Sequence, residues 1–180
     1  LFRRFMQNES TLKKVLQPEK IIVTGFLVSF VLAGIVEIAA PEKSSKEIEK
    51  RKVYKKLLSA GDSFLADGDF KSAQVSFDQA SDLMPNLWTP YFKKGIVFGS
   101  QKEFKKAEQE YRKGLEIYPD HPSLLANYGA TLAILGEIEE AESLLRTAIR
   151  KSPNNHTAYN SLAQVYLNQR KLDKAREMLS

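Results

Sequence analysis

The sequence predicts an all-α protein: a single transmembrane helix followed by an α-solenoid of about three and a half to four helix-turn-helix repeats. Three observations predict it. The twenty residues from Ile21 to Ala40 are uncharged except for Glu37. Lys and Arg crowd both flanks of that run. From residue 54 onward, small, large and proline positions recur every 34 residues without insertion or deletion.

The run IIVTGFLVSFVLAGIVEIAA is about 30 Å long as a helix, the thickness of a bilayer's hydrocarbon core. Pro18 suits its start and Pro41 its stop. It is too long, and begins too far into the chain, for the apolar part of a cleaved signal peptide. Residues 1–20 hold five Lys/Arg against two Glu. Within them, Phe2, Phe5 and Met6 lie beside Arg3 and Arg4, which fits a short interfacial helix and equally a frayed tail. Fifteen residues outward, the N-terminal flank carries three Lys/Arg and the C-terminal flank six. The positive-inside rule then places residues 41–180 on the cytoplasmic, stromal or matrix side, at a bacterial inner membrane, a thylakoid or a mitochondrial membrane.

The net charge of +5 does not mark a nucleic-acid-binding protein. The excess sits around the apolar run, where it faces anionic lipid headgroups, and residues 57–180 are close to neutral. There are no cysteines, so disulfides and thiolate metal sites are excluded.

Within the expected span, Gly25, Ser29, Ala33 and Glu37 follow one another at four-residue steps. Small residues at that spacing let two transmembrane helices approach closely. Ordinary glycine and alanine content accounts for the strip equally well. Glu37 falls about 24 Å along the span, near an interface, where a carboxylate is tolerated at modest cost.

Residues 41–53 form a basic juxtamembrane linker. Ser44 and Glu47 stand at capping-box spacing, so the first repeat helix is expected to begin near Ser45 and to be longer than its counterparts.

The repeat columns are explicit. Alanine recurs at Ala73, Ala107, Ala141 and Ala175, and proline at Pro85, Pro119 and Pro153. Small residues recur at Gly61, Gly95, Gly129 and Ala163, and again at Ala80, Gly114 and Ala148. Large residues recur at Phe64, Phe98, Leu132 and Tyr166, and at Phe77, Tyr111, Leu145 and Leu179. Small residues belong where two antiparallel helices cross closely, and large ones fill the space alongside. Proline ends the second helix of each unit by forcing the residue before it out of the helical region. A period of this length predicts units that stack along one axis.

These columns resemble the tetratricopeptide repeat family over residues 54–180, with units 54–87, 88–121, 122–155 and an incomplete fourth, 156–180. The usual large apolar residue at the seventh position is replaced by Ala60 in the first unit and Lys94 in the second. Because the fourth unit stops within its second helix, the resemblance implies either a longer native chain or a partner covering that end. The resemblance also implies a groove lined by the first helix of each unit. Its positions here are Lys55, Leu58, Asp62 and Leu65; Thr89, Phe92, Ile96 and Gly99; Ser123, Ala126, Ala130 and Ala133; and Thr157, Asn160, Gln164 and Asn168. The groove is expected to be apolar and roomy in the middle and polar at the fourth unit. Phe92 and Ile96, one turn apart, form its expected floor, or else pack into an adjacent first helix. The Lys and Asn with which some family members clamp a chaperone's C-terminal carboxylate are replaced by Leu58 and Asp62, or by Phe92 and Ile96. Chaperone tails are therefore disfavoured partners.

No cofactor or enzymatic activity is expected. His121 and His156 are the only histidines, both in turns between units, and no catalytic or phosphate-binding motif is present. The expected function is a membrane-anchored, non-enzymatic scaffold. It would hold a peptide segment or subunit while a membrane complex assembles, in the manner of thylakoid photosystem I assembly factors or of bacterial inner-membrane repeat proteins. Two alternatives stand beside it: a permanent structural subunit of such a complex, and the anchoring part of a longer enzyme.

Overall fold

The computed structural model describes residues 41–179, with side chains from Ser45 onward. The expected span 21–40, its strip Gly25, Ser29, Ala33 and Glu37, and the segment 1–20 lie outside the described residues. Among the described residues, no helix is long and apolar enough to cross a membrane. Residues 50–180 form one compact unit.

Eight helices follow one another among the described residues: α1 (Pro41–Ala66), α2 (Phe70–Leu83), α3 (Thr89–Ser100), α4 (Phe104–Ile117), α5 (Pro122–Leu135), α6 (Ile138–Lys151), α7 (His156–Asn168) and α8 (Leu172–Leu179). There are no strands among these residues. The helices alternate as first and second members of four hairpins, in the register the 34-residue period predicts. α1 has 26 residues against 14 in α2. It starts at Pro41 rather than near Ser45, so linker and first repeat helix are one continuous element. Proline is tolerated there because the first N–H of a helix has no intrahelical partner.

The turn inside each hairpin repeats too. Gly68, Lys102, Gly136 and Arg170 all have positive φ, at 77°, 61°, 89° and 57°. Each closes its helix with the same bond five residues back: Asp69 N–H to Phe64 O at 2.8 Å, Glu103 to Phe98 at 2.8 Å, Glu137 to Leu132 at 2.9 Å and Lys171 to Tyr166 at 2.8 Å. This is the six-to-one bond of a Schellman closure, which needs a left-handed residue just before its donor. The acceptors are the large residues of the Phe64 column.

Between hairpins, proline acts as expected. The residues before Pro85, Pro119 and Pro153 are Met84, Tyr118 and Ser152, with φ of −136°, −138° and −144°. Each leaves the helical region, as the clash with the following ring requires. Two of the next helices, α5 and α7, open on side-chain caps: the His121 Nδ1 accepts from Leu124 N–H at 3.4 Å, and the Asn155 Oδ1 from Ala158 N–H at 3.1 Å.

The small columns lie where helices touch. A Cβ on Gly61 would collide with the Phe77 ring, and one on Gly95 with the Tyr111 ring. On Gly129 it would stand 2.8 Å from Leu145, and on Gly114 2.8 Å from Leu124. Ala73, Ala80, Ala107, Ala141 and Ala148 are fully buried, and Ala163 and Ala175 nearly so. The core is a series of clusters that straddle unit boundaries. Ala73, Phe77 and Val97 join the first two units, flanked by Leu58, Leu65 and Phe70. Phe98, Ala107, Tyr111, Leu124, Tyr128, Leu132 and Ala141 join the second and third. Leu125, Ala126, Leu145, Ala148, Ala158, Leu162, Val165, Tyr166 and Ala175 join the third and fourth. Apolar burial shared between neighbours is what makes a solenoid cohere.

Candidate functional site

The groove positions meet different fates along the repeats. In the first two units several of them are taken up by contacts within the fold. Leu58 packs on the Ala73–Phe77–Val97 cluster. Asp62 is exposed and pairs with Lys93 at 2.8 Å. Phe92 is half-buried against the second cluster, with ring centroids 5.8 Å from Trp88 and 6.1 Å from Tyr111. The expected floor is therefore an aromatic wall with one side already covered; Ile96 beside it is half-buried.

Between the third and fourth units the surface opens. A cleft of about 160 Å³ separates α5 from α7, lined by Ala130, Ala133, Ile134, Ser161, Gln164, Val165 and Asn168. Four of these are expected groove positions: Ala130, Ala133, Gln164 and Asn168. Asn160, on the same helix, is exposed but does not line the cleft. Ala126 differs from the expectation: it is 0% exposed, enclosed by the cluster that includes Leu125, Ala158 and Leu162. At that level the helices pack too closely to leave an accessible surface.

Ile134, Ser161 and Val165 were not among the expected groove positions. Each directly follows one of them in sequence, so the face is wider than four positions per helix describe. Ile134 is 60% exposed. The Gln164 Nε2 donates to the Asn168 Oδ1 at 3.0 Å, one helical turn on. That bond fixes the two amides side by side and leaves the Gln164 Oε1 as an acceptor and the Asn168 Nδ2 as a donor.

The charged side chains lie elsewhere. Lys94, only 8% exposed, occupies the position that Tyr128 holds one unit later. Its Nζ lies 2.8 Å from Asp78 and 3.1 Å from Glu110, and Glu110 also meets Lys113 at 2.7 Å. Burial alone would lower the Lys94 pKa, but the hydrogen bonds and charges of Asp78 and Glu110 outweigh it and raise it above the ordinary lysine value. At the start of α5, His121 stacks on Trp88 with centroids 3.7 Å apart, and burial lowers its pKa. His156 is exposed at the first position of α7. Among the described residues no group of three or more His, Asp or Glu stands close enough to hold a metal ion.

Helical hairpins stacked on shared cores, with an open cleft between first helices, define a repeat scaffold that can receive a polypeptide. The sequence model of the tetratricopeptide repeat family matches the repeat region over residues 100–162 and 132–180. The anaphase-promoting complex subunit CDC16 of Saccharomyces cerevisiae is 30% identical over 64% of this chain and 14% of its own length. The type IV pilus assembly protein PilF of Pseudomonas aeruginosa is 29% identical over 84% of this chain and 61% of its own. A solved structure of Pseudomonas aeruginosa PilF superposes with a TM-score of 0.66 at 26% identity, covering 72% of this chain and 60% of that one. The chain thus spans less than two thirds of the length of each of these relatives. As a tetratricopeptide repeat domain, it is a protein–protein interaction scaffold.

Proposed function

We propose that the chain is a membrane-anchored, non-enzymatic scaffold that holds a segment of a membrane-complex subunit while the complex assembles or is stabilised. The observation that carries this reading is the α5–α7 cleft, open at successive groove positions and bordered by amides that match a peptide backbone. Anchoring rests on the sequence: the apolar run 21–40 and its basic flanks. In this reading the strip Gly25, Ser29, Ala33 and Glu37 docks on a partner's transmembrane helix. The basic flanks meet anionic headgroups, and the repeats lie on the cytoplasmic or stromal side. The likeness to a relative described as a pilus assembly protein supports a role in building envelope or membrane complexes.

The test is co-purification of the full chain from membranes in mild detergent, followed by mass spectrometry. Subunits of one membrane complex should be recovered at the early stages of its assembly and be depleted from the mature form. Recovery of only chaperones and ribosomes would overturn the reading, and equal recovery with the mature complex would make the chain a permanent subunit. Deletion of residues 21–40 should release the protein from carbonate-washed membranes.

A further inference from the structure

Of the eight helices, α5 (PSLLANYGATLAIL) and α7 (HTAYNSLAQVYLN) alone contain no Asp, Glu, Lys or Arg, although 27% of the chain is charged. These two helices build the cleft. Its lining is uncharged throughout: alanine, isoleucine and valine on its walls, Ser161, Gln164 and Asn168 along one side. The corresponding surface of the first two units carries the Asp62–Lys93 ion pair instead.

We infer that the α5–α7 cleft selects an uncharged, extended peptide segment, seating one aliphatic side chain against Ala130 and Ile134 while the Gln164–Asn168 pair holds the adjoining peptide unit. The inference rests on the scaffold reading above and specifies what that scaffold holds. Three observations support it. At about 160 Å³ the cleft is smaller than the roughly 300–1,000 Å³ of small-molecule pockets, so it suits one side chain rather than a cofactor. The Gln164 Oε1 accepts and the Asn168 Nδ2 donates, which matches the N–H and C=O of one peptide unit. A charged side chain seated there would lose hydration and meet no countercharge, a penalty that acts against wrong partners without adding any contact to the right one. A terminal carboxylate or a phosphorylated segment is excluded on the same ground.

The test uses the full chain in detergent micelles and a phage-displayed library of random twelve-residue peptides. Selected peptides, synthesised with acetylated and amidated ends, are titrated by fluorescence anisotropy. The expected consensus is an uncharged core with one aliphatic residue. Replacing that residue by Asp or Lys should weaken binding by about tenfold or more. Affinity should change less than about twofold between 50 and 500 mM NaCl, since few ions are released. Gln164→Glu, on an exposed position, should weaken binding about tenfold with unchanged thermal melting, and Ala130→Leu should do so by filling the cleft. An obligatory acidic or basic residue in the consensus, or no enriched peptide, overturns the inference. So does binding indifferent to both variants. None of these results bears on whether a membrane subunit co-purifies, and failure of co-purification leaves peptide selectivity measurable.

Discussion

The imidazole of His121 lies against the indole of Trp88, ring centroids 3.7 Å apart and planes inclined by 36°, while its Nδ1 caps α5 through the Leu124 N–H. Only neutral imidazole can accept that bond. Burial lowers the His121 pKa from 6.5, so the unfolded chain takes up its proton first. Stability from this group is therefore present above about pH 6.5 and declines as pH falls below it. Trp88 is the only tryptophan, and its emission reports the stack directly. Its intensity should titrate below pH 6.5, and urea midpoints should fall over the same window. His121→Asn, which keeps a cap, should remove both effects; a titration surviving that change would assign them elsewhere.

Lys94 gives the opposite sign. Its folded pKa is raised above 10.5, so its contribution is complete below about pH 10.5 and is lost as pH rises through the folded value. Lys94→Ala leaves the buried Glu110 carboxylate with only Lys113 and should cost about 1–3 kcal/mol, less than a fully enclosed pair because Asp78 is partly exposed. Lys94→Met fills the same space without the charge and should be close to neutral. Urea unfolding at pH 7 and pH 11 separates the two: the wild type should lose stability relative to Lys94→Met at the higher pH.

The glycines of α3 predict a paired result. Gly95→Ala brings a methyl group into the Tyr111 ring and should destabilise by about 1–3 kcal/mol. Nothing lies within 4 Å of a Cβ on Gly99, so Gly99→Ala should stabilise by about 0.5–1 kcal/mol through helix propensity. Equal effects of the two substitutions would contradict the packing described.

Lys102 and Arg170 hold left-handed conformations that glycine holds at the same turn in the other two repeats. A side chain there costs about 1–2 kcal/mol, partly offset by the greater freedom glycine has when unfolded. Lys102→Gly and Arg170→Gly should each raise stability by about 0.5–1 kcal/mol in denaturant titrations. No gain at either position would mean that the lysine and arginine are at ease in the turn.

Much of the repeat fold was legible because the columns report backbone geometry. Gly95 and Gly114 mark close crossings, and Pro119 ends a helix, whatever else the chain does. That Ala130, Ala133, Gln164 and Asn168 share one cleft follows from the same columns, which fix the face each occupies on its helix. The packing of Phe92 was legible only as one of two alternatives, since its covering also depends on Trp88, which follows no repeat column. The burial of Ala126 depends on how closely α5 and α7 pack at one level. The burial of Lys94 was also invisible, because a lysine at an apolar position reads as a departure until its partners Asp78 and Glu110, from two other helices, are in view. The left-handed turns went unread because glycine fills only two of the four.

The three junctions between units are unequal in kind. The first relies on a small cluster around Phe77 together with the pairs Asp62–Lys93 and Asp78–Lys94, whereas the last is a broad apolar seam from Leu125 to Ala175. In a linear array each junction opens at its own free energy. A pull transmitted along α1 will therefore yield at the first joint while the cleft keeps its shape. The domain is mechanically graded: compliant where the chain leads toward residue 41, stiff around the α5–α7 cleft.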